Sequence, residues 1–308
     1  MRKRTDLDDS IGDFPTSDPG PLPELPDSAP PPRPSRPAAL PFDPSADPGF
    51  AARYRVESVL GRGGMGVVLR GTQLALGRPV AIKFVTGASP RALERFERER
   101  QLVARLNHPN VVQVHDAGTM NDLPYLVMEL VDGVTLRDTL DRRGGRLPLD
   151  EALALVRQML DGLEYVHAQS AIHRDLKPAN VFVTHTGVLK LGDFGLAWAE
   201  DQVALTGTAD AMGTPGYMPP EQFLGPVYAP SADLYSVGAV LYELLTGRLP
   251  LNEGSLAGLI IAHRQNRRPV PLRSVDPALP AHIEALLASA MEKNPELRPQ
   301  SAARFRAL

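Results

Sequence analysis

The spacing of apolar side chains divides the chain into a first part that favours strands and a second part that favours helices. Short runs rich in β-branched and apolar residues predict strands at 54–60, 67–73, 79–85, 111–118 and 124–131. After the third run, residues 89–109 predict one helix, with Ser89 as its N-cap and Pro90 in its first turn. We therefore expect the first part to form a small lobe of sheet and one helix.

Helical periodicity dominates after Gly133. Residues 150–169 carry an apolar stripe at helical spacing, and Asp150 is expected to cap this helix. Residues 231–247 are apolar on nearly all sides, which predicts a buried central helix, and residues 280–296 are a further helix candidate. The second part is thus expected to be a larger, mainly helical lobe.

Residues 1–50 differ in composition from the rest of the chain. They contain 13 of the 31 prolines and five basic against nine acidic side chains. Such a segment has little apolar surface to bury, so it predicts a disordered, Pro-rich tail whose deletion leaves the melting temperature unchanged. Docking of its proline runs on an aromatic groove is the alternative.

These patterns predict the domain boundaries. After the tail, residues 51–308 form one folded domain. Within it we expect a small lobe at 51–130, a hinge at 129–133 and a large lobe at 134–308.

Composition narrows the classes of protein to which the chain can belong. There is no cysteine, which excludes disulfides and thiolate metal sites and favours a reducing cytoplasm. The net charge of -3 gives no indication of nucleic acid or of an anionic membrane as the main partner. No window approaches the roughly 18 apolar residues that cross a bilayer.

A glycine-rich stretch follows the first predicted strand, with Gly61, Gly63 and Gly66 in the spacing GxGxxG. A dinucleotide-binding loop needs a helix directly after these glycines. Here Val67 and Val68 favour a second strand, so a hairpin whose backbone N–H groups close over nucleotide phosphates is the better interpretation. An ordinary glycine-rich turn is the alternative.

Lys83 lies in an apolar strand, where alternation places it on the same face as Ala81. A buried lysine needs a partner. Helical spacing places Glu99 on the apolar face of the following helix, which predicts an ion pair between Lys83 and Glu99. The alternative is that Lys83 marks a sheet edge and extends into water.

Polar residues interrupt the apolar stretch 172–183, and a solvated turn is the ordinary explanation for them. However, the hairpin predicted after this stretch brings Asn180 near Asp193. An amide and a carboxylate are hard oxygen donors that suit Mg²⁺ carrying nucleotide phosphates. Asp175 would then accept a hydroxyl proton, and Lys177 would neutralise the transferring phosphate.

The motifs VAIK, HRDLKPAN, DFG and GxGxxG occur in an order and at distances that resemble the protein kinase fold, and their details are similar to bacterial Ser/Thr kinases of the eukaryotic-like type. The similarity runs from about Tyr54 to Leu308. Residues 213–221 resemble the platform for the peptide substrate, although Pro219 replaces the usual small residue. The resemblance implies an α+β, two-lobed fold, with a small antiparallel sheet lobe carrying one key helix and a larger helical lobe. It also implies transfer of the γ-phosphoryl of ATP, with Mg²⁺, to Ser or Thr hydroxyls of protein substrates.

The resemblance assigns roles to matched positions only. The catalytic set is Asp175, Lys177, Lys83 and Glu99. The ATP-binding set is Leu60, Gly61, Gly63, Gly66, Val68, Ala81, Lys83, Glu129 and Val131, with Met128 at the rear of the pocket. The Mg²⁺ ligands are Asn180 and Asp193. The structural set is Thr214, Glu221, Asp233 and Arg298.

The segment between Asp193 and Glu221 is expected to carry regulation. Thr206 and Thr208 in its middle resemble the autophosphorylated pair of bacterial relatives, and Arg174 is the expected phosphate-sensing residue. Ordinary turn residues are the alternative for both threonines.

Two other function classes stay open at this point. One is a pseudokinase or scaffold that binds ATP, although every expected catalytic residue is present. The other is a small-molecule phosphotransferase, which the complete 213–221 segment disfavours. The physiological substrates, the activating signal and the pairing of two copies through their small lobes are not determined by the sequence.

Overall fold

The computed structural model of the chain describes residues 40, 42–63, 66–86, 100, 102–194, 215–225, 227, 229–251, 253 and 255–308. The small lobe is built on a five-stranded antiparallel sheet in the order β1–β2–β3–β5–β4. Its strands are β1 (Tyr54–Gly63), β2 (Gly66–Gln73), β3 (Arg78–Val85), β4 (Val114–Met120) and β5 (Leu123–Glu129).

Strand β3 is the central strand of the sheet, and its side chains show which residues lie on each face. Its Val80, Ile82 and Phe84 side chains point to one face and are fully buried. Ala81 and Lys83 point to the opposite face, because successive residues of a strand alternate. In the register of the sheet Ala81 lies opposite Met128.

A segment before β1 covers the outer face of this sheet. It contains a 3₁₀ turn (Pro44–Ala46) and the short helix α1 (Pro48–Ala51), whose N-cap is the Asp47 side chain. Phe50 is 3% exposed, and its ring centroid lies 5.5 Å from that of Phe84. The Phe42 ring packs on Phe84 at 4.6 Å.

This packing corrects the predicted boundary of the tail at residue 50. Residues 42–50 belong to the folded small lobe, because Phe42 and Phe50 bury aromatic surface against a sheet face that would otherwise face water. The signal in the sequence was the pair of aromatic residues with Asp43 and Asp47 before prolines, which the proline content obscured. Residues 1–39 lie outside the described part of the chain.

The large lobe consists mainly of helices and a small sheet of order β6–β7–β8. The three strands are β6 (Gly133–Thr135), β7 (Val181–Thr184) and β8 (Leu189–Leu191). The helices are α2 (Leu136–Arg142), α3 (Leu149–Ala168), α4 (Pro230–Thr246), α5 (Leu256–Arg264), α6 (Leu272–Val275), α7 (Ala281–Ala290) and α8 (Ala302–Arg306).

The core of the large lobe is built around α4, which the sequence predicted as a central buried helix. All its residues from Ser231 to Thr246 are buried, and Gly247 ends it in the left-handed conformation with φ 69°. The predicted cap of α3 is displaced: its N-cap is Pro148, and Asp150 lies in the first helical turn. A carboxylate there still interacts favourably with the helix dipole. The two-lobed α+β fold is thus confirmed.

No helix in the described ranges combines the length and the apolar character that crossing a bilayer requires.

We predict that the segment before β1 stabilises the domain. Phe50→Ala should lower the free energy of unfolding by about 3 kcal/mol, as truncation of a buried phenylalanine usually does. Deletion of residues 1–52 should lower the melting temperature at least as much, whereas deletion of residues 1–39 should leave it unchanged. Thermal and urea denaturation of the three variants beside the full chain measure this. Equal melting temperatures for the full chain and the 1–52 deletion would contradict the assigned packing.

Candidate active site

A cavity of about 340 Å³ lies between the two lobes. Eight residues that the sequence analysis assigned to nucleotide or metal binding line it, namely Leu60, Gly61, Val68, Ala81, Met128, Glu129, Val131 and Asp193. The strands β1, β2, β3 and β5 contribute most of them. The predicted nucleotide site therefore coincides with a cavity of the size that small ligands occupy.

Two of the predicted glycines lie at the tip of the β1–β2 hairpin, outside the lining of this cavity. Gly63 pairs with Gly66, and Gly66 has φ 143°. A Cβ atom at Gly66 would lie 1.9 Å from the carbonyl oxygen of Phe84, so only glycine fits here.

Several further residues that line this cavity were not predicted from the sequence, and most of them lie on its large-lobe side. Phe182 on β7 and Gly192 after β8 both line it, together with Val112, Thr135 and Asp138. An ideal Cβ atom at Gly192 would lie 2.7 Å from Phe182 Cε2 and 3.2 Å from Val112 Cγ2. The absence of a side chain at 192 thus leaves room for the Phe182 ring. Alternation along 181–183 was the available signal, because buried Val181 and Val183 turn Phe182 to the other face.

Lys83 and Asp193 contact each other across the lobes. Lys83 Nζ donates to Asp193 Oδ1 at 2.8 Å. Burial of the Asp193 carboxyl opposes its ionisation, but the neighbouring ammonium of Lys83 holds the pKa of this carboxyl below its usual range. The predicted partner Glu99 lies outside the described residues. Lys83 lies on the same face of the sheet as Ala81, as the alternation predicted. Its contact with Asp193 was not expected from the sequence.

The Asp175 carboxylate is held by two side chains of its own loop. Lys177 Nζ donates to both of its oxygens, at 3.0 and 2.8 Å, and Asn180 Nδ2 donates to Oδ2 at 2.8 Å. Asn180 Nδ2 also donates to the Asp175 carbonyl oxygen. These bonds fix the carboxylate in position and direct the amide oxygen of Asn180 away from it.

Backbone bonds bring this loop next to Asp193. The Gly192 N–H donates to the Asn180 carbonyl oxygen at 2.9 Å. His173 is fully buried, and its Nε2 lies 2.9 Å from the Gly192 carbonyl oxygen. A carbonyl only accepts, so Nε2 carries the proton. Burial lowers the pKa of His173, which favours this neutral form. Asp175, Asn180 and Asp193 are therefore held in one site.

Asp233, at the start of the central helix α4, fixes the backbone of the loop that carries Asp175. Its Oδ1 accepts the Arg174 N–H at 2.8 Å, and its Oδ2 accepts the His173 N–H at 2.9 Å. His167 Nε2 lies 2.8 Å from Oδ2. Burial opposes the charge of this 1% exposed residue, but these hydrogen bonds hold the pKa of Asp233 below its usual range.

Two residues of the site have strained backbones. Arg174 has φ 67° and Asp193 has φ 50°, in the left-handed region that non-glycine residues rarely adopt. Each costs about 1–3 kcal/mol. Arg174 is held there by Asp233 on its N–H and by Gln222 Nε2, which donates to its carbonyl oxygen at 2.8 Å. Arg174 Nε donates to the Val227 carbonyl oxygen at 3.2 Å.

The segment from 215 onward is fixed to the large lobe by two ion-pair networks. Glu221 and Arg298 form a bidentate pair with distances of 2.6 and 2.7 Å, and the Arg298 side chain is fully buried. Tyr217 Oη accepts from Arg137 at 2.8 Å and donates to Glu243. The first pair is the one that the resemblance implies, and the second was not expected from the sequence.

The hinge is tied to the large lobe by a further ion pair. Lys190 Nζ on β8 lies 3.0 Å from the Glu129 carboxylate, and both side chains are largely buried. The Glu129 N–H donates to the Gln113 carbonyl oxygen at 2.9 Å. Glu129 therefore fixes the end of β5, where the lining of the cavity passes from the small lobe to the large lobe.

Three further predicted residues, Thr206, Thr208 and Thr214, lie outside the described residues, as does Glu99.

The donor set of the site fits Mg²⁺. Asp193 contributes a carboxylate, and Asn180 contributes an amide oxygen that its two N–H bonds leave directed away from Asp175. Mg²⁺ in nucleotide sites is commonly held by one or two carboxylates together with substrate phosphates.

We predict that the Gly192 position and the Phe182 ring are coupled in nucleotide binding. Gly192→Ala should push the ring into the cavity and weaken binding of ADP about tenfold, while Phe182→Leu should make room for the added methyl. The double variant Phe182→Leu/Gly192→Ala should bind ADP as well as Phe182→Leu alone. Calorimetric titration of the four proteins, with melting temperatures as the control for folding, measures this. Additive losses in the double variant would contradict the coupling.

Comparison with known proteins identifies a family for this arrangement. The family model described as protein kinase domain matches residues 54–306. The chain is 39% identical over 264 residues to the serine/threonine-protein kinase PknA of Mycobacterium tuberculosis, which covers 83% of this chain and 60% of that protein.

Two further relatives agree. The chain is 35% identical over 255 residues to the serine/threonine-protein kinase PrkC of Bacillus subtilis, across 82% of this chain and 39% of that protein. It is 42% identical over 267 residues to the serine/threonine-protein kinase PksC of Streptomyces coelicolor, across 82% and 48%. The matches span less than two thirds of the length of each relative. Because the family model matches most of the chain, the resemblance is confirmed, and the chain belongs to the protein kinase domain family.

Proposed function

We propose that the chain is an ATP-dependent Ser/Thr protein kinase that transfers the γ-phosphoryl of ATP to protein hydroxyls. One observation carries the proposal: Asp193 lines the interlobe cavity, contacts Lys83 at 2.8 Å and follows Gly192, whose N–H bonds to Asn180. When the base of a nucleotide occupies the cavity, the phosphates of that nucleotide are directed to Lys83, Asp193 and the Asp175 loop. Relatives named as serine/threonine-protein kinases support the same activity.

Phosphoryl transfer depends mainly on positioning and on neutralisation of charge. Leu60, Val68 and Ala81 enclose the adenine, and the backbone of Glu129 and Val131 hydrogen-bonds its edge. Gly61, Gly63 and Gly66 cover the phosphates, and Lys83 orients the α- and β-phosphates, with Glu99 as its proposed partner.

The Asp175 loop handles the acceptor. Asp175, held by Asn180 and Lys177, positions the Ser or Thr hydroxyl and accepts its proton. The Lys177 ammonium is hydrogen-bonded to the same carboxylate. From this position it reaches the transferring phosphoryl group and neutralises the charge of that group. Asp233 keeps the loop in its strained conformation, which is preorganised before the substrate binds.

Asn180 and Asp193 would hold Mg²⁺, which when bound neutralises charge on the β- and γ-phosphates. Thr214 is a structural residue in this proposal, together with Glu221, Arg298 and Asp233. The proposal places the kinase in the cytoplasm with protein substrates and without a nucleic-acid partner. A measurement of mass in solution decides whether two copies pair.

Two rival activities are separated by one assay. The purified chain is incubated with Mg²⁺ and labelled ATP, with a basic protein in one arm and an aminoglycoside and choline panel in the other. Incorporation of phosphate into Ser or Thr of the protein supports the proposal. Transfer only to the small molecules supports a small-molecule phosphotransferase, and nucleotide binding without any transfer supports a pseudokinase.

We predict different losses for the two aspartates of the site. Asp175→Asn should reduce turnover by about two to four orders of magnitude while leaving nucleotide affinity nearly intact, because only the acceptor loses its carboxylate. Asp193→Asn should reduce turnover similarly and also weaken Mg²⁺-dependent nucleotide binding. Asp161→Asn, which removes a surface carboxylate on α3, is the matched control and should retain activity. Wild-type turnover in Asp175→Asn would show that the role of this residue is wrongly assigned.

We predict autophosphorylation of Thr206, Thr208 or both. A phosphate adds about -1.5 to -2 charges and forms strong bonds with arginine, and Arg174 is the proposed recipient next to Asp175. Mass spectrometry of active protein should detect the phosphate, and the Asp175→Asn variant should lack it. Replacing both threonines with alanine should lower activity without changing the melting temperature. Absence of phosphate from both residues, with full activity of the double variant, would refute this regulation.

A further inference from the structure

An ion pair beside the interlobe cavity joins the end of β5 to the large lobe. Lys190 Nζ on β8 lies 3.0 Å from each of the two carboxylate oxygens of Glu129, the last residue of β5. The two side chains are 16% and 29% exposed, so solvent screens the pair only in part. One ammonium therefore orients both oxygens of the carboxylate.

The small-lobe end of this pair is also bonded to the segment before β4. The Glu129 N–H donates to the Gln113 carbonyl oxygen at 2.9 Å, and the Gln113 N–H donates to Glu129 Oε2 at 3.4 Å. Glu129, Leu130 and Val131 all line the cavity. The bonds to the Glu129 carboxylate therefore hold the backbone where the chain passes from the sheet into the hinge.

The large-lobe end of the pair belongs to the strands that form one wall of the cavity. Lys190 is paired with Phe182 in the register of β7 and β8, and paired residues of neighbouring strands place their side chains on the same face of the sheet. Phe182 lines the cavity. Strand β8 is itself held in place, because the Leu191 N–H donates to the Asn110 carbonyl oxygen at 2.8 Å. The same two hydrogen-bonded strands thus carry the Lys190 ammonium and the Phe182 ring.

Lys190 acts on the cavity through Glu129. Among the described residues, the lining includes Glu129 and Phe182 but not Lys190. A partly exposed ion pair contributes little to the free energy of unfolding, so general stabilisation does not account for its position. The pair does fix the position of the hinge backbone relative to the Phe182 ring.

Recognition of a base depends on that relative position. A planar base in the cavity packs against the Phe182 ring, and this contact sets the plane of the base. The edge of the base then hydrogen-bonds to the hinge only if the hinge backbone lies in that plane. Hydrogen bonds weaken steeply when donor and acceptor are misaligned.

We propose that Lys190 is a positioning residue for recognition of the base. Through the Glu129 carboxylate, it holds the hinge backbone level with a base that lies on Phe182. This role rests on the proposed function, because it takes adenine as the base and the backbone of Glu129 and Val131 as its partner. It assigns part of the preference for adenine to a residue that does not touch the nucleotide.

Calorimetric titration of the full chain with ADP and with inosine diphosphate, both with Mg²⁺, tests this role. Inosine diphosphate carries an oxo group in place of the amino group of adenine, so it cannot make the same bonds to the hinge. The unchanged chain should prefer ADP. Lys190→Met should weaken ADP binding about fivefold, the loss expected for about one hydrogen bond, and should change binding of inosine diphosphate by less than about twofold.

Three further variants separate the ion pair from other effects of the substitution. Lys190→Arg should keep the preference for ADP, because it keeps the charge and the donors. Glu129→Gln should lower the preference, because it removes the charge of the other partner. The double variant Lys190→Met/Glu129→Gln should lose no more ADP affinity than Lys190→Met alone.

The matched control is Arg143→Met, which removes the ion pair between Arg143 and Glu151 in the large lobe. Those side chains are 35% and 15% exposed, similar to the pair at the hinge, and neither residue lines the cavity. This variant should keep its affinity for both nucleotides. Melting temperatures of the free variants monitor folding, and Glu129→Gln decides the test if Lys190→Met is unstable.

The possible failures are distinguishable. Equal losses of affinity for ADP and inosine diphosphate in Lys190→Met would show a merely structural role and overturn the proposal. An unchanged preference for ADP in this variant, or no preference in the unchanged chain, would overturn it as well. If the unchanged chain bound neither nucleotide, the proposed function itself would be refuted, and the role of Lys190 with it.

Discussion

The carboxylate of Asp233 is the constraint on which the arrangement of the site depends. It lies at the start of the buried helix α4 and accepts the backbone N–H groups of His173 and Arg174. Burying a charge without partners is costly, and here three donors compensate it. The hydrogen bond from the Arg174 N–H to this carboxylate also holds Arg174 at φ 67°. The favourable free energy of this bond offsets the local backbone strain. The conformation of the loop that carries Asp175 follows from this anchor.

The site is held by hydrogen bonds within the large lobe and by ion pairs and apolar packing between the lobes. Within the large lobe, Asp175 is bonded to Lys177 and Asn180, and Asn180 is bonded through its backbone to Gly192. Between the lobes, the ion pairs Lys83–Asp193 and Lys190–Glu129 connect the site. Apolar packing joins the lobes at the same place, because Val85, Leu126 and Phe194 belong to one buried cluster. The position of Asp193 next to Phe194 is therefore fixed from both lobes.

The small lobe depends on surface that lies outside the matched family segment. The family model begins at residue 54, but Phe42 and Phe50 cover the outer face of the sheet before that point. The sheet has two apolar faces to bury, because strand alternation gives both faces of β3 apolar side chains. The segment before β1 supplies the cover for one of them, which explains why residues with a tail-like composition fold with the domain.

By itself, the sequence determined the two-lobed fold, the strands β1 to β3 and the central helix α4, and it predicted eight of the residues that line the interlobe cavity. These features follow from local periodicity and from motifs whose residues lie close together in the chain, so that neighbouring positions carry the information. Only the tertiary structure decided that Phe50 packs on Phe84, that Lys83 contacts Asp193 and that Gly192 makes room for Phe182. Most of these contacts join residues that are far apart in sequence, and their geometry depends on how whole elements pack rather than on the pattern of any single segment.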